Sequence, residues 1–159
     1  MGSKRENQEC FRFSQWGGKR KGAGRKPKGV RAGMPHDKRE DFHERYPLHV
    51  TVKLRRGLPS MRSAKAYRVL CAVIQAACQR DGFRMNHYAV LRDHIHMVIE
   101  AEGRRCLTRG MQSLLIRIAR RLNRLWKCKG RLFADRYHDV LLKSPTQVRN
   151  VLRYVLLNV

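Results

Sequence analysis

Acidic residues are scarce in this sequence. Only 12 Asp and Glu stand against 36 Lys and Arg in 159 residues, which leaves a formal net charge of +24. Such an excess repels itself in a compact chain and is tolerated where the partner is a polyanion. Nucleic acid is therefore the leading expected partner. Long apolar runs are missing too: none reaches transmembrane length, and the basic residues are not gathered on one amphipathic helix, as a membrane-surface protein would have them. The opening Met1-Gly2-Ser3-Lys4-Arg5-Glu6 leads into no hydrophobic segment, so no membrane and no secretion are expected, and the expected location is the cytoplasm. The cysteines Cys10, Cys71, Cys78, Cys106 and Cys128 are odd in number and contain no Cys-x-x-Cys. That spacing excludes a disulfide framework and a cysteine zinc knuckle. Cys71 and Cys78, on a helical pattern, are expected in the core. What is present is ample apolar material, 42% of the residues, enough for one domain with a real core.

Residues 1–45 read as a basic arm and linker. The tract Gly17-Gly18-Lys19-Arg20-Lys21-Gly22-Ala23-Gly24-Arg25-Lys26-Pro27-Lys28 cannot bury apolar surface and is expected to be mobile. Its Arg25, Lys26 and Lys28 are candidate phosphate contacts; the Gly-Arg-Lys-Pro core also resembles an AT-hook, a minor-groove segment. Residues 46–159 are ordered in pattern. Leu48 to Leu54 alternates apolar and polar as a half-buried strand does. Ser63 to Arg80 has helical spacing, and Asp81-Gly82 is expected to end that helix. Phe83 to Leu91 and His94 to Ala101 read as two strands around an Arg92-Asp93 turn. Leu107 to Lys127 reads as a long helix with Arg117, Arg120, Arg121 and Arg124 off its apolar stripe. Leu132 to Leu142 reads as another strand. Ser144-Pro145 is a helix start, for a helix running to about Leu157. The order β-α-β-β-α-β-α predicts an α+β, ferredoxin-like split βαβ fold with a four-stranded antiparallel sheet, helices on one face and a C-terminal helix.

Within the third strand, Asp93-His94-Ile95-His96-Met97-Val98-Ile99 places two histidines two residues apart. Side chains alternate across a strand, so both imidazoles share a face while Ile95, Met97 and Ile99 point into the core. Paired imidazoles are half of a metal site; ordinary surface or core histidines are the plainer alternative. By the same parity His49 and Thr51 share the face of the pair, expected to be the uncovered one. An RNA-binding sheet would carry stacking aromatics on that strand, and here it carries histidines. On the final helix Tyr154 and Asn158 are one turn apart. They could be presented together to the histidines, or could simply finish the core edge and cap the helix.

These blocks together resemble the single-tyrosine HUH transposases, and most closely the REP-associated tyrosine transposases. The resemblance rests on Pro47-Leu48-His49-Val50-Thr51, on the histidine-hydrophobic-histidine motif at residues 93–99, on Gly130-Arg131-Leu132-Phe133-Ala134-Asp135-Arg136-Tyr137, and on Arg153-Tyr154 followed by Asn158. The family's pattern continues with proline after that asparagine, where this sequence has Val159. The resemblance implies that His94, His96 and Asn158 hold one Mg²⁺ or Mn²⁺. It implies that Tyr154 is the nucleophile that cuts single-stranded DNA beside a hairpin, leaving a 5′-phosphotyrosine and a free 3′-hydroxyl. Tyr46, Tyr67, Tyr88 and Tyr137 are the other tyrosines; Tyr137, in Arg136-Tyr137-His138-Asp139, is the closest rival. His49, Arg117, Arg120, Arg121, Arg124 and Arg136 are candidate DNA contacts beside the arm. A monomer is expected, with a dimer as the alternative, and a hairpin-binding protein that does not cut is the competing function.

Overall fold

The structure, a computed structural model, describes residues 39–158. The expectations for the basic arm, Arg25, Lys26 and Lys28 among them, lie outside those residues. The alternating segment after Pro47 forms strand β1 (Leu48–Lys53), in which Leu48, Val50 and Val52 are buried and His49 and Thr51 are partly open. It is followed by α1 (Ala64–Gln75), β2 (Gln79–Arg80), β3 (Phe83–Val90), β4 (His94–Ala101), α2 (Arg104–Leu125), β5 (His138–Leu141) and α3 (Pro145–Leu157). The strands form one antiparallel sheet in the order β2-β3-β4-β1-β5. This is the expected α+β architecture with one more strand.

One face of the sheet carries the main core. Leu48, Val50 and Val52 of β1 and Ile95, Met97 and Ile99 of β4 pack there against Ala66, Leu70 and Ile74 of α1 and Leu107, Met111, Leu114 and Ile118 of α2. The apolar stripes of both helices repeat at helical spacing, which is why they can cover a flat surface. Helix α3 lies on the other face. Its Val155 is fully buried against Ala89 of β3 and Val98 of β4, with Val151 and Leu152 beside it. Ser144 starts α3 with a reciprocal cap: its hydroxyl accepts from the Gln147 amide at 3.2 Å, and the Gln147 side chain accepts from the Ser144 amide at 3.2 Å.

The structure corrects four expectations. The face bearing the histidines is not uncovered, because α3 lies across part of it and leaves His96 only 7% exposed. The first helix stops at Gln75, and Gln79–Arg80 pairs with Phe83–Arg84 as β2. Asp81-Gly82 is thus a two-residue hairpin turn, with Gly82 at φ +66°; Asp-Gly is among the strongest hairpin signals, and read as a helix stop it hid a strand. The strand expected over 132–142 is reduced to β5 at its end, with Phe133 bridging Leu54 earlier. Finally, Cys71 and Cys78 are half-buried rather than core; they, Cys106 and Cys128 are free thiols. In β3 a bulge at Asn86 shifts the pairing between Met85 and His87. It lets Phe83, Met85, Tyr88 and Val90 all face α1 and α2.

Helix α2 reaches the sheet at Gly110, which touches Phe83. A Cβ at that position would sit 2.3 Å from the Phe83 ring, and the ring is itself 3% exposed, with little room to yield. Gly110→Ala should therefore destabilise the domain by about 1–3 kcal/mol despite alanine's better helix propensity. Adding Phe83→Leu should recover part of the loss. Urea unfolding of both variants measures this, and a stabilised single variant would show that the helix can move away.

Candidate active site

Strand register builds the site. β1 and β4 run antiparallel with Thr51 opposite His96, Lys53 opposite His94 and His49 opposite Val98. Directly opposed residues share a face, so His49, Thr51, His94 and His96 converge. Packing of Val155 on Val98 fixes α3 above them. Tyr154, the residue before Val155, is 44% exposed, and its hydroxyl lies 3.3 Å from Nε2 of His96. The two rings meet edge to face at 5.0 Å.

Each motif histidine is held by its Nδ1. In His94, Nδ1 is 2.8 Å from Oδ1 of Asp93. In His96, Nδ1 is 3.1 Å from the Thr51 hydroxyl and 3.0 Å from Nε2 of His49. Both anchors leave Nε2 as the outward nitrogen, which in His96 faces the Tyr154 hydroxyl, and the rings stand 4.8 Å apart at 88°. A carboxylate or hydroxyl that fixes the far ring nitrogen is what metal-binding histidines usually have. Burial pushes the His96 imidazole down to about 4, with His49 and His94 adding to the fall. Burial, with His138 nearby, also lowers His49. The His94 hydrogen bond, ahead of Lys53, holds the Asp93 carboxyl below its ordinary range. Near neutral pH His96 is thus an unprotonated donor, the form that a cation needs. Among the described residues no three His, Cys, Asp or Glu side chains form a closed metal cage. The donor set that fits a cation is the pair His94 and His96.

The remaining candidates divide by location. Asn158 follows α3 and donates from Nδ2 to the Tyr154 carbonyl at 2.7 Å, the capping contact of the plainer expectation. Tyr137 is only 8% exposed, with the Arg39 guanidinium 3.8 Å above its ring, and belongs to the main core rather than the histidine face. Arg117, Arg120 and Arg121 line a groove of about 420 Å³ between α1 and α2, on the opposite side of the sheet from Tyr154. Arg124 is in the last turn of α2, and Arg136 is exposed in the segment before β5. Thr51 and His138 join the site without having been singled out as its members. Thr51 was legible as sharing the pair's face, but its contact with His96 follows from the register alone; His138 is brought in by its pairing with Thr51.

A phenol set against paired imidazoles, in a chain of net charge +24, fits a DNA-processing class of protein. Residues 43–157 match the family described as transposase IS200-like, and the chain belongs to that family. Among solved structures it is similar to a REP-associated tyrosine transposase bound to a REP hairpin, at 20% identity and a TM-score of 0.60, covering 79% of this chain and 72% of the other. It is also similar to a proposed transposase of Deinococcus radiodurans R1, at 12% identity and a TM-score of 0.51, covering 79% and 97%. These likenesses establish the fold. No curated protein sequence matches the chain.

The depressed His96 makes stability depend on pH. Unfolded histidine titrates near 6.5 and folded His96 near about 4, so the unfolded chain binds more protons in between. The contribution of the neutral ring is complete above pH 6.5 and is lost as pH falls from 6.5 toward about 4. Urea midpoints measured with EDTA should decline through that window, and His96→Gln should flatten the decline. An equally steep decline in the variant would assign acid unfolding to other groups.

Proposed function

We propose that this chain is a metal-dependent single-stranded DNA endonuclease and strand transferase that works through a covalent 5′-phosphotyrosine on Tyr154. The observation that carries the reading is the 3.3 Å approach of the Tyr154 hydroxyl to Nε2 of His96 within a single chain. His94 and His96 would hold Mg²⁺ or Mn²⁺ through Nε2, with Asn158 contributing its side-chain oxygen. The cation would polarise a non-bridging phosphate oxygen and neutralise the charge that builds up during attack. Tyr154 attacks phosphorus: the bond from its oxygen to phosphorus forms, and the bond to the 3′ oxygen breaks. The 5′-phosphate stays on tyrosine and a 3′-hydroxyl is released. Attack by another 3′-hydroxyl reverses the exchange and frees Tyr154, so the bond energy is conserved.

Thr51 and Asp93 keep the imidazoles oriented during both steps. Packing of Val155 on the sheet presents the phenol from the same chain as the histidines, which supports a monomer. The substrate is DNA with a hairpin beside single strand, supported by the hairpin-bound relative and by the net charge of +24. His49, beside His96 on the same face, and the exposed Arg136 before β5 are the further contacts we assign to the strand. Arg117, Arg120, Arg121 and Arg124, on the far side of the sheet, would serve the stem or another segment of backbone. A hairpin-binding protein that does not cut is the second reading. It is favoured by the Asn158 side chain already capping its own helix.

A labelled hairpin strand incubated with Mn²⁺ separates the two. Cutting predicts a denaturation-resistant protein–DNA adduct that is absent in EDTA and in Tyr154→Phe, and retained in Tyr137→Phe. Adduct formation should fall at least about 100-fold in His94→Ala and in His96→Ala, while hairpin affinity changes only a few-fold. Hairpin binding by the parent protein without any adduct would establish the non-cutting reading.

A further inference from the structure

A second concave site lies at the free edge of the sheet. β2 pairs with β3 only at Phe83–Arg84, so the side of the far half of β3 away from β4 borders no strand among the described residues. There, Arg62, Ala64, Tyr67, Tyr88, Ala89 and Val90 enclose a pocket of about 250 Å³. Its walls are aromatic and its mouth is cationic. Tyr67, on the first turn of α1, is 38% exposed. Tyr88 is fixed by its hydroxyl, 3.6 Å from Sγ of Cys71. Burial pushes the Tyr88 phenol up to about 12, so the ring stays neutral beside any phosphate.

Tyr67 and Tyr88 stand on the α1 side of the sheet and the candidate active site on its other face, with the free edge of β3 between them. Ala89, in its wall, is directly opposite His96 in the β3–β4 ladder, a Cβ separation of about 5 Å. Around the end of the sheet three cationic residues, one of them Lys53 paired with Asp93 at 3.5 Å, line the connection. The Met61 amide donates to the Arg92 carbonyl at 3.0 Å, which ties the Arg62 segment to the turn before His94. Lys53 stands opposite His94. Lys53, Arg92 and Arg62 thus mark a path along which a phosphate backbone could run from the histidines to the pocket.

We propose that the Tyr67–Tyr88 pocket receives one unpaired base of the DNA strand whose phosphodiester lies at His94 and His96, and so sets where the strand is cut. A volume slightly below that of ordinary small-molecule sites suits one heterocycle. Aromatic faces bind bases with little sequence preference by stacking, and arginine at the rim takes the adjoining phosphate. The inference rests on the proposed DNA-cutting reading, and adds to it a positional selector made from residues remote from the chemistry.

The test uses hairpin strands in which 5-iodouracil replaces one base at a time through the single-stranded flank. Irradiated with the Tyr154→Phe protein, one flank position should crosslink to Tyr67 or Tyr88, located by mass spectrometry. In the cutting protein, Tyr67→Ala should raise KM about tenfold with kcat within twofold, and Tyr67→Phe should restore KM. Affinity for the stem without its flank should not change. Tyr67 is exposed enough that its loss leaves the fold intact, which thermal unfolding checks. Crosslinks confined to other residues, or an unchanged KM in Tyr67→Ala, overturn the proposal while leaving the Tyr154 adduct untouched. Absence of that adduct in the parent removes the cutting reading instead, and the crosslinking result still decides the pocket.

Discussion

The pairing of β1 with β4 is the constraint on which the rest depends. Thr51 opposite His96 and Val50 opposite Met97 set two faces at once. A slip of one residue would send His94 and His96 into the layer of α1 and α2 and turn Ile95, Met97 and Ile99 outward. The core therefore enforces the register, because those residues are fully buried against the helices. The geometry of the candidate active site is a by-product of that enforcement. Polar groups of the site never have to find one another; they are delivered by apolar residues one position away.

The helix bearing Tyr154 is held differently from the others. The main core gathers residues from β1, α1, β3, β4 and α2 and from the loops at Met61, Leu132 and Tyr137, whereas α3 is attached through Val155 on Ala89 and Val98, with partial help from Leu91, Val151 and Leu152. Its start is secured by the Ser144–Gln147 cap. Elements with few buried apolar contacts sit at the low end of local stability. In the proposed reaction, Tyr154 on such a helix can adjust to a strand of DNA without disturbing the sheet that holds the histidines. The same contrast appears in the electrostatics: the imidazole on the sheet is deeply buried and uncharged, while the phenol on the helix is open to solvent.

Much of the fold was legible because period-two and helical patterns are strong in Leu48–Leu54, His94–Ala101 and Leu107–Leu125. The histidine pair was legible from parity alone. The parts that were not legible have identifiable causes. Asp81-Gly82 carries both a helix-stop and a hairpin meaning, and only pairing of Arg80 with Phe83 decides between them. The bulge at Asn86 leaves no trace in composition, yet it sets which side of β3 Tyr88 occupies. The position of α3 over the histidine face could not be read from its stripe, since an apolar stripe shows that a helix packs without showing on what. Arg117, Arg120 and Arg121 were sound candidates for phosphate contacts by composition, and only the layer order shows that they face away from Tyr154.

By itself the sequence determined the charge that makes a polyanion the natural partner, the single α+β sheet, the shared face of His94 and His96, and the helix that carries Tyr154. These are local properties, fixed by spacing and by the chemistry of neighbouring residues. Tertiary structure decided that Thr51 and His49 hold His96, that Tyr154 reaches it while Tyr137 is enclosed, and that Tyr67 and Tyr88 form a pocket one strand away. Each of those depends on residues tens of positions apart meeting across a strand register or a helix interface. Such meetings are set by the packing of the whole core, which no local pattern encodes.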